Sequence, residues 1–307
     1  MFKLRFVTWN MGDSKKSLQQ WEKELRTTEK WRTLFDTDGG VDVIVLSTQE
    51  DHRAASLPEA VANTLLADWM VHTSVVKGPL DVLNKPFTIK LFVFMRPDAP
   101  AHTVNEASVC FQKQLTFCSK GTAGIALTFG ANQIVMMGSH FPIKPKEADL
   151  GYQRRIQAIN TSLRSVFDQL HDDEAENVVV FWGGDMNFRR NTPVGNTLNG
   201  PVKDQLSHAL QTLDKQFMEA ELMFPPTCKL HACNKLNCPE CRLRSDEEYI
   251  EKCYDTHREP SHCDRILFYT EGASVNVMPM AYKSWVAADS ISVSDHNLVY
   301  ADFTVSF

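Results

Sequence analysis

The stretch that most constrains this chain is Asn177-Val178-Val179-Val180-Phe181-Trp182-Gly183-Gly184-Asp185-Met186-Asn187-Phe188-Arg189. Its apolar run reads as a buried strand, and two glycines let the backbone turn sharply where the strand ends. The turn presents a carboxylate, Asp185, and an amide, Asn187, two residues apart at the strand's tip. A carboxylate so placed can accept a proton from water while an amide donates to an anionic oxygen, which is half of what an attack on a phosphate ester needs. Taken alone, the same residues also make an ordinary Gly-Asp turn with an Asx cap.

At 307 residues and 43% hydrophobic content the chain can bury a large core, and one domain over 1–307 is expected. No stretch approaches the roughly 18 apolar residues that span a bilayer, and residues 1–5 lack a signal peptide's apolar core. Residue 2 is not the glycine that myristoylation needs, and the C-terminus carries no prenylation cysteine. A soluble, cytoplasmic protein is expected, with any membrane contact made by its folded surface. The formal charge of −6, with Lys and Arg scattered, argues against a phosphate-backbone binder, so no nucleic-acid partner is expected. Without a signal peptide, free thiols are the default state for the eight cysteines.

Strand-like runs fall at 4–9, 41–46, 70–76, 89–95, 109–117, 124–129, 134–139, 177–180, 266–269, 275–280 and 298–305. One helix, capped by Ser14, is expected to carry Leu18, Trp21, Leu25 and Leu34; others are expected at 57–67, 154–170 and 205–213. Strands outnumber helices and no composition break divides the chain. The economical arrangement is an α/β fold of two packed sheets with helices outside.

Five strand ends carry reactive side chains: Asn10, Glu50, His140, the Asp185/Asn187 pair, and Asp295-His296. Singly, such a Glu is usually a solvated loop residue and such a His a structural one. Jointly they suggest one pocket, because ligands gather beyond the strand ends of α/β sheets. Asn10 and Glu50 are hard oxygen donors, few in number, which suits Mg²⁺ keeping several waters. Asp185 would hold and deprotonate the attacking water, Asn187 would orient a phosphoryl oxygen, and His140 and His296 would stabilise charge building on the phosphate. Asp264 could accept from His296 and keep it cationic.

Thr8-Trp9-Asn10, Gln49-Glu50, Ser139-His140, the run 182–189 and Ser294-Asp295-His296 together resemble the endonuclease/exonuclease/phosphatase superfamily. Pro260-Ser261-His262-Cys263-Asp264-Arg265-Ile266-Leu267 resembles the signature of the inositol polyphosphate 5-phosphatase family, with His262 where that signature has tryptophan, and Lys120-Gly121 resembles another of its segments. The resemblance implies a DNase I-like, four-layer α/β sandwich of two mixed sheets flanked by helices. It implies Mg²⁺ on Glu50 with Asn10 close by, Asp185 at the water, and Asn187, His140 and His296 around a scissile 5-phosphate. It also implies Asp264 paired with His296, Asp295 on the metal side, and Lys120 and Arg189 among the substrate contacts.

For a neighbouring 4-phosphate, Lys229 and Arg258 are kept, whereas Cys228 and Thr256 replace a tyrosine and a lysine. Lys144 and Lys146, after His140, stand where the family approaches the head group and an anionic lipid surface; the alternative is a solvated loop. The implied partners are a phosphoinositide or inositol phosphate and, transiently, a membrane surface. The implied activity is removal of the 5-phosphate from phosphatidylinositol 4,5-bisphosphate, the 3,4,5-trisphosphate and soluble inositol polyphosphates. A nuclease of the same superfamily and a non-catalytic phosphoinositide-binding scaffold are the alternatives.

An insert at about 228–253 holds Cys228-x4-Cys233-x4-Cys238-x2-Cys241, with His231 inside it. Cys238 and Cys241 have the spacing that chelates one tetrahedral zinc, and Cys233 with Cys253 or His231 would complete a structural site. Packed free thiols are the alternative reading, and disulfides a third.

Overall fold

The run 177–185 forms β8 (Asn177–Asp185), and all nine of its residues are buried. The computed structural model describes residues 1–307 apart from 13, 15, 36–39, 52–56, 77–87, 101, 112–117, 144–147, 190–203, 231–253, 256–258 and 286–293. Strand β8 sits inside a six-stranded sheet ordered β5 (Thr103–Cys110), β6 (Gly121–Phe129), β7 (Asn132–His140), β8, β10 (Asp264–Glu271), β9 (Met218–Glu219). A second six-stranded sheet runs β11 (Asn276–Trp285), β12 (Leu298–Ser306), β1 (Phe2–Asn10), β2 (Val43–Asp51), β4 (Thr88–Met95), β3 (Met70–Val75).

Each sheet has one parallel pair at its centre, β1 with β2 and β7 with β8; the other ladders are antiparallel. A strand buried on both faces needs apolar residues at successive positions, which is why the β8 sequence reads as a run and not an alternation. Between the sheets lie Phe6, Val45, Leu91, Met136, Phe181 and Phe303. Each fully buried side chain of this kind contributes about 1.5–3 kcal/mol of transfer free energy. The outer face of the first sheet packs Trp9 and Leu46 against Trp21 and Leu25 of α1 (Leu18–Thr27), Trp31 of α2 (Glu29–Leu34) and Val61 of α3 (Leu57–Thr64). The outer face of the second packs Val180 and Trp182 against α4 (Ala148–Ser162), which continues through a π turn (Leu163–Phe167) into α5 (Asp168–Leu170), and against α6 (Gln205–Leu210). The result is helix, sheet, sheet, helix: the four-layer α/β sandwich of mixed sheets that the resemblance implied.

Several boundaries differ from the sequence reading. The first helix is two, broken at Thr28, whose extended backbone (φ −107°, ψ 112°) ends α1. Its cap is Ser17, not Ser14: the Ser17 hydroxyl accepts from the Gln20 amide while the Gln20 side chain accepts from the Ser17 amide. Of the strand expected at 109–117, residues 112–117 lie outside the described residues, and Val109 and Cys110 are the end of β5, which begins at Thr103. Its residues Thr103, Asn105 and Glu106 are exposed, so polar positions hid an edge strand. The expectation of reduced thiols also fails at two positions. Cys110 and Cys118 stand on opposite arms of the β5–β6 hairpin and are joined by a disulfide, with Cα atoms 5.9 Å apart. Among the described residues, no helix is long and apolar enough to cross a membrane.

Candidate active site

Both parallel pairs end at one rim of the sandwich, and their registers set the site. In the first sheet Asn10 lies opposite Gln49, one residue before Glu50. In the second, His140 lies opposite Asp185, and Asp185 opposite Asp264, so three side chains form one row across β7, β8 and β10. The chain does not turn at its glycines as expected: Gly183 and Gly184 lie inside β8, and at Gly184 (φ +151°) a Cβ would stand 2.1 Å from the Ser139 carbonyl oxygen of β7. Glu50 and Asn187 adopt left-handed backbone conformations (φ 50° and 54°) without being glycine. Non-glycine residues held there are uncommon and cluster at functional sites.

Asp185 is the hub. Its Oδ2 accepts from Asn10 Nδ2 at 3.0 Å and lies 3.2 Å from His140 Nε2 and 3.9 Å from His296 Nε2. Its Oδ1 accepts from the Asn187 amide at 3.1 Å. Burial alone would raise its proton affinity, but the charge on His296 and the hydrogen bond from His140 outweigh that, holding the carboxyl far below the usual range. Glu50 Oε1 is 3.8 Å from His140 Nε2, and its side chain remains 29% exposed. Asn10 Oδ1 accepts from the Gly12 amide at 3.0 Å, leaving a second lone pair facing the site.

The two histidines are driven apart. His296 Nδ1 donates to Asp264 Oδ2 at 2.8 Å. Burial works against its charge, yet Asp264 and then Asp185 lift its pKa from 6.5 to about 10. For Asp264, burial pushes the carboxyl up against the pull of His296. His140 moves the other way, lowered first by burial and then by the neighbouring Lys120 ammonium, which lies within hydrogen-bond distance of its ring. At neutral pH the site therefore holds one imidazolium and one neutral imidazole, an arrangement suited to separate proton roles.

Asn187 donates from Nδ2 to the Phe141 carbonyl at 3.0 Å and accepts at Oδ1 from Arg189 at 3.0 Å. One Nδ2 hydrogen is left over for a ligand oxygen. Lys229 meets Asp295 at 3.1 Å, because the segment after Thr227 pairs along 295–297. Thus Asn10, Glu50, Lys120, His140, Asp185, Asn187, Arg189, Asp264 and His296 come together, and Lys229 and Asp295 pair beside His296. Lys144, Lys146, Arg258, Cys233, Cys238, Cys241, Cys253, His231 and Thr256 lie outside the described residues.

Sequence reasoning missed three supports. Thr227 donates to Asp264 Oδ2 at 2.6 Å and accepts from the Cys263 and Asp264 amides. Trp9 Nε1 holds the His296 carbonyl at 3.0 Å. Ser294 donates to the Asn10 carbonyl at 2.6 Å and accepts from the His296 amide. Pro-Pro-Thr, Thr-Trp-Asn and Ser-Asp-His each contain the signal, in Thr227, Trp9 and Ser294. Cys228, which stands where the family has a tyrosine, is a buried free thiol, as is Cys263.

The family model described as Endonuclease/Exonuclease/phosphatase family 2 matches residues 7–302. The chain belongs to that family. Among curated relatives, phosphatidylinositol 3,4,5-trisphosphate 5-phosphatase 1 of Xenopus laevis is 25% identical over 99% of this chain and 30% of its own length. Phosphatidylinositol polyphosphate 5-phosphatase type IV of Rattus norvegicus is 26% identical over 97% of this chain and 45% of its own. The chain thus spans less than half the length of these two. Type IV inositol polyphosphate 5-phosphatase 11 of Arabidopsis thaliana is 23% identical, covering 99% and 83%.

Two solved structures share the endonuclease/exonuclease/phosphatase fold with this chain. The inositol polyphosphate 5-phosphatase domain of SPsynaptojanin, in complex with inositol (1,4)-bisphosphate and calcium ion, superposes with a TM-score of 0.62 at 18% identity, covering 98% of this chain and 83% of its own. A Cimex nitrophorin ferrous NO complex superposes with a TM-score of 0.63 at 19% identity, covering 100% and 99%. One fold serves different chemistries, so function has to be argued from the side chains at the rim.

Proposed function

We propose that this chain, as one catalytic domain over 1–307, is a divalent-metal-dependent phosphomonoesterase that removes the 5-phosphate of phosphoinositides and soluble inositol polyphosphates. The observation that carries the reading is Asp185 ringed by Asn10, His140, the Asn187 amide and His296, with Glu50 against His140 and Asp264 against His296. The named relatives support the substrate class. A phosphoinositide substrate would be met at a membrane surface by a cytoplasmic protein.

The donor set fits a hard cation. Glu50 offers a partly open carboxylate and Asn10 a free amide lone pair, with neither thiolate nor a histidine cage beside them. Mg²⁺ held by Glu50 and Asn10 would neutralise phosphoryl oxygens and aid departure of the inositol oxygen. Asp185 holds the attacking water in line with the phosphorus. The free Nδ2 hydrogen of Asn187, the imidazolium of His296 and the buried ammonium of Lys120 are the groups that meet the growing negative charge. Asp264 keeps His296 protonated and fixes its ring. Lys229 and Arg258 are assigned to a neighbouring phosphate, Lys144 and Lys146 to the head group or lipid surface, and Asp295 positions Lys229.

The test is phosphate release from phosphatidylinositol 4,5-bisphosphate in vesicles and from inositol 1,4,5-trisphosphate, with Mg²⁺ and after chelation, beside nicking of plain and abasic DNA. Release that needs the metal and the 5-phosphate, without nicking, is expected. Nicking without release makes the chain a nuclease, and neither makes it a binding scaffold.

A further inference from the structure

The edge strands of the two sheets, β3 and β5, meet on one side of the sandwich, where Ser74 Oγ donates to the Ala107 carbonyl at 3.2 Å. There His72 of β3 and His102, the residue before β5, face each other. Their Nε2 atoms are 3.2 Å apart and their ring planes cross at 86°. His102 Nδ1 lies 2.8 Å from the Pro100 carbonyl oxygen. A carbonyl only accepts, so Nδ1 carries the proton and Nε2 presents its lone pair. A ring nitrogen freed in this way, with its partner nitrogen donating to a backbone carbonyl, is the usual arrangement of a metal-bound histidine. Burial and then the neighbouring His102 lower the proton affinity of His72 from 6.5.

We propose that His72 and His102 form a two-histidine site for a divalent transition-metal ion, zinc being the best match, which clamps the edges of the two sheets together. With zinc–nitrogen bonds of about 2.0–2.1 Å, the observed separation subtends about 100–105° at the ion, close to the tetrahedral angle. Among the described residues no third His, Cys, Asp or Glu joins the pair, so the other positions fall to water or a small anion. Neutral imidazole suits zinc, nickel and copper and not magnesium, which separates this site chemically from the oxygen-lined rim. It is also distant along the strands: His102 precedes the Thr103 end of β5, whereas the Cys110 end pairs with Gly121, opposite His140. Because the ion would bind the folded sandwich and not the separated edges, its occupancy adds stability by mass action.

The experiment compares metal-free wild type with His72→Gln and His102→Gln, each dialysed to equilibrium against zinc and analysed for bound metal, with thermal unfolding measured with and without zinc. Each variant is expected to bind one equivalent less than wild type and to lose the zinc-dependent rise in Tm, while phosphate release stays unchanged. The double variant should lose no more than either single one. Equal zinc content in all four proteins would overturn the proposal, leaving a plain His72–His102 hydrogen bond. Should the variants fold poorly, ¹⁵N-histidine spectra of wild type decide. The Nε2 resonances of His72 and His102 must shift together on adding zinc, and unmoved resonances refute the site.

Discussion

Asp264→Asn separates the charge of the Asp264–His296 pair from its shape. In the wild type, burial alone would leave His296 neutral, but Asp264 and then Asp185 raise its pKa from 6.5 to about 10. Since one pH unit of proton affinity is about 1.4 kcal/mol, the site as a whole, burial included, favours the imidazolium by roughly 5 kcal/mol, with Asp264 the largest favourable contributor. Folding raises this proton affinity, so the cation's contribution to stability is complete below pH 6.5 and is lost only as pH rises through about 10. Asparagine keeps the volume and a hydrogen bond but not the charge, and burial then pulls His296 back toward or below its ordinary value. If the imidazolium is the form that meets the phosphate, the variant's kcat/KM should fall about 30-fold between acid and pH 8, where a group titrating at 6.5 is about 3% protonated. The wild type should hold a plateau to pH 9. The assay is phosphate release from inositol 1,4,5-trisphosphate from pH 6 to 9, with Tm followed to exclude unfolding. A variant profile that keeps the wild-type plateau would show that His296 need not be cationic, and the reasoning fails.

Asp185→Ala should reduce turnover at least about 1,000-fold while Tm changes little, because the removed carboxylate is itself buried and costly to desolvate; phosphate release above 1% of wild type refutes its role at the water. Gly184→Ala should lower stability by at least about 3 kcal/mol in urea unfolding, since the new Cβ would stand 2.1 Å from the Ser139 carbonyl at a φ of +151°; a loss under 1 kcal/mol counts against this close approach of β7 and β8. Glu271 meets Lys215 at 2.7 Å, Tyr269 at 2.6 Å and His171 at 3.0 Å, which outweigh burial and take its pKa from 4.5 to about 2. Its stabilisation is therefore present above pH 4.5 and drains away toward pH 2. Glu271→Gln should remove up to about 1 kcal/mol at pH 7 and less at pH 3, so a variant whose urea midpoint differs from wild type equally at both pH values contradicts it.

What the sequence made legible follows from what each signal encodes. A run such as Val178 to Trp182 announces a strand covered on both faces, so β8 could be read directly; its glycines were misread as a turn, because Gly183 and Gly184 lie inside β8 and are small to admit Phe6 and the Ser139 backbone. The convergence of Asn10, Glu50, His140 and His296 needed the further rule that strand tips face a common pocket. Registers were out of reach: nothing local says that Asp264 lies opposite Asp185, since that pairing is settled by a ladder between segments far apart in the chain. The edge strand β5 was misplaced because its exposed Asn105 and Glu106 carry no apolar signal. The Cys110–Cys118 disulfide was missed for a related reason, as it depends on the hairpin that aligns the two residues. The helix break at Thr28 was hidden by Leu18, Trp21, Leu25 and Leu34, which keep near-helical spacing across it because α1 and α2 bury the same tryptophan cluster.

The electrostatics at the rim also revise the part assigned to Asp185. A carboxylate that accepts from Asn10 and the Asn187 amide and lies against His140 and the cationic His296 has little affinity for a proton. Such a group is a poor base, and raising its basicity would require removing the donors that hold it in place. Phosphoryl transfer tolerates this, because a loose transition state develops most of its charge on the phosphoryl oxygens and the departing oxygen and demands little deprotonation of the incoming water. In the proposed reaction Asp185 would act by fixing the water's direction through a hydrogen bond, with the proton leaving late. The cationic groups that weaken it as a base would there meet the phosphoryl charge, giving up basicity at the nucleophile for stabilisation of the transferring group. On this account the strained backbone at Glu50 and Asn187 has a purpose: both residues flank Asp185, and both must aim their side chains into the cleft whatever their own φ preference.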